Sequence, residues 1–198
     1  MTPPPIKPGK LFIISGPSQV GKDSIVRALW SERTLNFARI ITNTTRAKRP
    51  GEKNGITYNF LSDSEFDDLI KRDGLIEWAN VRNARFGTPK AAVLEALQRG
   101  HNVILQIDVQ GAAQVKTKLP DTILIFVTAE SAAEVKRRIM ASSKMTPQQK
   151  ADRWQEAQRE LKEQPNYQYS VVNRFGHLDS TLAEVRRIII KELSQARA

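Results

Sequence analysis

Leu11-Phe12-Ile13-Ile14-Ser15-Gly16-Pro17-Ser18-Gln19-Val20-Gly21-Lys22-Asp23 is the stretch that decides the fold. Its first five residues are an apolar run, Gly16 to Gly21 is a glycine-bearing loop, and Ile25, Val26 and Leu29 then recur at helical spacing. The order strand, loop, helix carries G-x-x-x-x-G-K. Consecutive backbone N–H groups and a helix N-terminus then face one concavity, and the Lys22 ammonium can lie over β- and γ-phosphates. The plainer reading is a strand-to-helix turn that uses glycine only for backbone freedom; the agreement of glycine, lysine and both flanking elements weighs against it. Asp23 departs from the usual Ser or Thr. A carboxylate about 4 Å from a phosphate charge costs on the order of 4 kcal/mol at an effective dielectric of about 20, so Asp23 must point away or meet a cation. Mg²⁺ accepts a carboxylate oxygen, which makes Asp23 the candidate metal ligand and Ser24 the substitute.

Working outward, apolar runs at Val103 to Ile107 and Thr122 to Val127 alternate with helical stretches, the pattern of a parallel sheet covered by helices on both faces. The expected fold class is α/β. Between these runs lie short strand-like pieces, Tyr58 to Leu61, Leu75 to Val81 and Phe86, separated by charged turns, which read as an inserted small mixed subdomain. Ser62 and Glu65 have capping-box spacing before a helix that Gly74 is expected to end; Thr88-Pro89 opens another that Gly100 closes. Trp78 reads as core. The polar interruption from Ala141 to Gln149, between two helical stretches, is where a lid could sit.

The 198 residues suit one compact domain, and with no cysteine neither a disulfide scaffold nor a thiolate zinc site is available. A reducing compartment, the cytoplasm, is the expectation. No segment approaches the roughly 20 apolar residues of a membrane helix, so neither membrane nor nucleic acid is expected as a partner, and a homo-oligomer stays open. The net charge of +10 attracts polyanions, but no uninterrupted basic run occurs, and discrete anionic ligands fit the arrangement better. Residues 1–9 read as a flexible proline-bearing leader. His101 and His177 read as incidental.

A second anion pocket is offered by Thr42-Asn43-Thr44-Thr45-Arg46-Ala47-Lys48-Arg49-Pro50-Gly51-Glu52, since arginine's planar fork suits a monophosphate; a solvated turn is the bland alternative. Together with this loop, GPSQVGKD, GITYNF, LIEWANV, FGTP, IDVQGA and VVN, taken in order, make the chain resemble the guanylate kinases from Lys10 to the C-terminal helix.

The resemblance implies a P-loop kinase core with a parallel sheet flanked by helices (10–41, 101–137 and 165–198), an inserted GMP-binding subdomain (42–100) and a helical lid (138–164). It implies transfer of a phosphoryl group from ATP to GMP, with dGMP as a second acceptor, in purine nucleotide metabolism, with Mg²⁺. By the same resemblance Gly16, Pro17, Ser18, Gln19, Val20, Gly21, Lys22, Asp23, Ser24 and Asn173 would bind ATP. Arg46, Arg49, Tyr58 and the Phe86 position would contact the GMP phosphate, while Thr42, Glu77, Thr88 and Asp108 would surround the guanine. Lys22, Arg46, Arg138 and Arg153 would be catalytic. Glu77 is the specificity candidate, because a carboxylate accepts guanine's N1–H and N2–H₂ side by side and adenine has no such donor pair. Its bland reading is an exposed strand carboxylate paired with an arginine.

Four positions depart from the family: Asp23, Gln106 where a carboxylate is common, Phe86 where tyrosine is common, and Ser142 where a lid arginine stands. These keep one rival in view, a catalytically impaired guanylate-kinase-like binding module; the intact G-x-x-x-x-G-K speaks against it. A kinase for another acceptor is disfavoured by Glu77 with Asp108, and a basic nucleic-acid binder lacks aromatic interleaving.

Overall fold

The computed structural model describes residues 7–81 and 83–195. Most of the leader (1–6), Arg82 and the last three residues lie outside the described residues. The strands are β1 (Leu11–Ser15), β2 (Phe37–Ala38), β3 (Asn43–Thr44), β4 (Asn59–Phe60), β5 (Leu75–Val81), β6 (Ala84–Pro89), β7 (Asn102–Gln106), β8 (Ile123–Thr128) and β9 (Tyr169–Val172). The helices are α1 (Lys22–Ser31), α2 (Asp63–Lys71), α3 (Lys90–Gln98), α4 (Val109–Lys118), α5 (Ala132–Met140), α6 (Pro147–Lys162) and α7 (Leu178–Ser194).

Two compact units emerge. The core unit takes Phe12–Phe37, Ile104–Val109 and the chain from Ile123. Its five-stranded sheet runs β2-β7-β1-β8-β9, and β8 pairs in parallel with both β1 and β9. Phe12, Ile14, Ile125 and Val127 of adjacent strands pack with Ile25 and Leu29 of α1, Val135 and Ile139 of α5, Ala157 of α6 and Val185 and Ile189 of α7. All five residues of β1 and all six of β8 are buried, as a parallel strand covered on both faces must be.

The mixed-sheet unit takes the chain to Leu11, Ala38–Val103 and Gln110–Thr122. Its four strands run β4-β3-β6-β5, with β3 parallel to β4 and antiparallel to β6, and β5 antiparallel to β6. The capping box of α2 forms as its spacing predicts, Ser62 Oγ accepting from Glu65 N–H and the Glu65 carboxylate accepting from Ser62 N–H. The end of α2 differs from expectation. Asp73, at φ 50°, takes the left-handed position, and Gly74 N–H donates to Leu69 O at 2.8 Å. Gly74 serves close approach instead, since a Cβ there would lie 3.1 Å from Leu69 Cδ2. Gly100, at φ 79°, does occupy the left-handed turn after α3. Thr88 lies on β6 and does not cap α3, whose N-cap is Pro89. Trp78 is half-buried, its ring edge-on to Phe66 at 6.5 Å.

Candidate active site

In the core unit, the loop between β1 and α1 turns through positive φ at Gly16 (131°), Gln19 (67°) and Gly21 (88°). A Cβ at Gly16 would stand 1.9 Å from Val127 O, so the loop's approach to β8 admits no side chain there. Gly21 starts α1, its carbonyl accepting from Ser24 N–H and Ile25 N–H at 3.1 and 3.2 Å. Asn173 is buried behind the loop; its Nδ2 donates to Val20 O at 2.8 Å and its Oδ1 accepts from Thr181 Oγ1 at 2.8 Å. These bonds make Asn173 a brace for the loop.

Lys22 Nζ donates to Gly16 O at 2.5 Å and Pro17 O at 2.7 Å, folding across the mouth of its own loop. Desolvation lowers its pKa, opposed by the charges of Glu160 and Asp23. Glu160, on α6, is only 8% exposed. Burial pushes its carboxyl up to about 7, against the pull of the Lys22 ammonium and with the neighbouring charges of Glu156 and Asp108 adding to the rise. Arg153, on the same helix, donates from Nη1 to Glu156 Oε2 at 2.6 Å.

Arg138 is held at three points: Nε donates to Glu134 Oε1 at 2.7 Å, and Nη2 to Asn173 O at 2.9 Å and Glu130 Oε2 at 3.1 Å. Bonds from Arg137 and Arg138 hold the Glu134 carboxyl down at about 2. Beside the loop opens a cavity of about 340 Å³, whose lining includes Gln19, Ser24, Arg138, Ser142, Asn173 and Phe175. Asp23 Oδ1 accepts from Gln106 Nε2, so two of the positions expected to depart from the family pattern touch each other. The contact sets the Asp23 carboxylate beside the end of β7, and carboxylate oxygen is a hard donor that fits Mg²⁺. Among the described residues no cluster of three or more His, Cys, Asp or Glu could cage a metal, so an ion here would be completed by substrate phosphates and water.

In the mixed-sheet unit, Arg46 Nη2 donates to Glu52 Oε1 at 2.7 Å and Nη1 to Ala47 O at 2.9 Å, with the guanidinium 5.4 Å over the Tyr58 ring. Arg49 N–H donates to Glu52 Oε2 at 2.8 Å. The hydrogen bond from Arg46, with that from Arg49 N–H, holds the Glu52 carboxyl below its ordinary value. Phe86 stands edge-on to Tyr58 at 5.8 Å, so Arg46, Tyr58 and Phe86 form one cluster. Thr42 is half-buried, its carbonyl accepting from Asn59 N–H at 2.9 Å. Glu77 is buried, 5% exposed, where the plainer sequence reading has it on the surface; Thr88 Oγ1 donates to its Oε1 at 2.5 Å. Asp108 follows β7 in the core unit.

Motif reading does not single out Glu52 as a site residue, nor Glu160. Glu52 lies inside the quoted arginine loop and its charge was the available signal; Glu160 offers none, since it looks like an ordinary polar residue of a helix.

A glycine loop between the first strand of a parallel sheet and its helix, closed over by a lysine, defines a P-loop nucleotide-binding α/β protein. The guanylate kinase family model matches residues 8–192. A guanylate kinase of Caldanaerobacter subterraneus subsp. tengcongensis is 39% identical over 186 residues, 94% of this chain and 89% of that one. One of Thermus thermophilus is 40% identical over 184 residues, 93% and 82% respectively. The crystal structure of guanylate kinase from Anaplasma phagocytophilum superposes with a TM-score of 0.74 at 25% identity, covering 96% of this chain and 89% of that one. The chain belongs to the guanylate kinase family.

Proposed function

We propose that this protein transfers the γ-phosphoryl group of ATP to GMP. The observation that carries the reading is the intact phosphate loop with Lys22 poised at its mouth, in a chain that also buries a carboxylate, Glu77, on the second sheet. On nucleotide binding, Lys22 exchanges the carbonyls of Gly16 and Pro17 for phosphate oxygens, a swap of neutral for charged hydrogen-bond acceptors. Arg46 gives up Glu52 when the acceptor's phosphate arrives, with Arg49 beside it. Glu77, oriented by Thr88, accepts from guanine N1–H and N2–H₂, and Thr42 and Asp108 complete the base contacts.

The acceptor phosphate is largely deprotonated near neutral pH, so direct in-line transfer needs no general base. Arg138 and Arg153 stabilise charge on the transferring group. Mg²⁺, held by Asp23 with Ser24 as the substitute, would neutralise phosphate charge when bound. The protein is assigned to the cytoplasm, with dGMP as a second acceptor; among the described residues no helix is long and apolar enough to cross a membrane.

The test is to incubate purified protein with ATP, Mg²⁺ and each nucleoside monophosphate in turn while following ADP formation. GMP-selective turnover is expected. GMP binding without turnover would leave only a binding module, and equal turnover of AMP would remove Glu77 from its role.

A further inference from the structure

Strand β5 contains an irregularity at the residue before Glu77. Its pairing with β6 runs Leu75 to Pro89 and then Glu77 to Thr88, leaving Ile76 as the extra residue of a β-bulge. The bulge falls where three consecutive side chains of this edge strand are buried. Leu75, Ile76 and Glu77 are consecutive and only 2%, 1% and 5% exposed, although side chains on a regular strand alternate between faces. The direction of the Glu77 carboxylate therefore depends on how the bulge is held, and β5 is an edge strand with β6 on one side only.

The open edge is closed by side chains of α4. Gln114 Oε1 accepts from Trp78 N–H at 3.2 Å, and Gln114 Nε2 donates to Trp78 O at 3.1 Å. One amide thus takes both backbone groups of the residue after Glu77, as a neighbouring strand would. One turn along the helix, Lys118 Nζ donates to Leu75 O at 2.8 Å and to Asp73 Oδ1 at 2.9 Å. The bulge is bracketed at Leu75 and at Trp78, with Glu77 between. Thr88 holds the carboxylate from the paired strand, and Gln114 holds the backbone that carries it.

We propose that Gln114 is a positioning residue that sets the aim of Glu77 and so the enzyme's preference for guanine. The inference rests on the reading of Glu77 as the guanine acceptor. Removing the Gln114 amide frees both Trp78 backbone groups to take water, the bulge loosens, and Glu77 meets the base less well. Binding of the acceptor base suffers while the phosphoryl-transfer machinery of the core unit is untouched.

The experiment compares wild type, Gln114→Met, Gln114→Glu, Glu77→Gln and the Glu77→Gln/Gln114→Met double variant, measuring kcat and KM for ATP, GMP and IMP, together with thermal melts. IMP retains N1–H and lacks the 2-amino group. Gln114→Met, similar in length, is expected to raise KM for GMP by about tenfold, the order of one or two lost hydrogen bonds. Its kcat and its KM for ATP should stay within about twofold, and its GMP over IMP preference should fall toward that of Glu77→Gln. Gln114→Glu keeps the acceptor for Trp78 N–H and loses the donor to Trp78 O, so an intermediate shift is expected; it also serves if the methionine variant does not fold. The double variant should be no less selective than Glu77→Gln. If Glu77→Gln collapses the preference while both Gln114 variants keep wild-type KM and preference, or lose only melting temperature, the positioning role is overturned. If Glu77→Gln itself leaves the GMP over IMP ratio unchanged, it is the guanine reading of Glu77 that fails.

Discussion

Glu160 is a residue whose protonation the fold shifts strongly. It sits with Lys22, Glu156, Asp108 and Arg153 around it, and burial lifts its carboxyl from 4.5 to about 7. Because the folded value is the higher one, the native state binds the extra proton. The stability this contributes is fully present below pH 4.5 and is lost as pH rises through about 7. At about 1.4 kcal/mol per unit the swing has a ceiling of about 3 kcal/mol. Glu160→Gln should therefore gain on wild type between pH 5 and 8 in urea unfolding; parallel curves would show that Glu160 does not titrate there. Phe86 offers a second test at this scale. Its ring already lies against Tyr58 in the Arg46 cluster, and Phe86→Tyr adds the one hydroxyl that the family resemblance leads one to expect there. A several-fold lower KM for GMP is expected, in line with one hydrogen bond of about 0.5–1.5 kcal/mol; an unchanged or higher KM would place the new hydroxyl out of reach of the phosphate.

At the scale of elements, β5 and β6 depend on a glycine for close contact. A Cβ at Gly87 would meet Leu75 Cδ1 at 2.9 Å, Phe66 Cζ at 3.0 Å and Trp78 Cβ at 3.1 Å. Gly87→Ala forces these groups apart, and overpacking of this kind costs about 1–3 kcal/mol. Denaturant titration should show a lower midpoint; a shift below measurement error would mean that β5 moves aside freely. Element types were legible because their signals are local. The β1 run, the α2 capping box and the Gly100 turn each follow from residues within a few positions of one another. Asp73 was not legible as the left-handed residue, because Asp seldom beats an adjacent Gly for that position. It is tied instead by two lysines distant in sequence, Lys90 and Lys118. Those contacts hold its carboxyl down at about 2.

Over the whole molecule, a net charge of +10 must draw in nucleotides of opposite charge. Raising NaCl from about 50 to 500 mM shortens the Debye length from about 14 to 4 Å. kcat/KM for GMP and ATP should then fall several-fold with little loss of saturated kcat; salt-independent values would confine recognition to short-range contacts. The amino-acid sequence by itself determined the α/β class, the phosphate loop from Gly16 to Ser24 and the family. Each of these is carried by residue order along one short segment or by several segments in register. Tertiary structure alone decided that Glu77 is buried against Thr88, that Gln114 and Lys118 bracket the bulge beneath it, that Glu52 occupies Arg46, and that Asp23 meets Gln106. Most of these contacts join residues far apart in the chain, and the Arg46–Glu52 pair depends on how its loop is turned. Desolvation and hydrogen bonding there are set by what the fold brings alongside, which no local pattern of polar and apolar residues encodes.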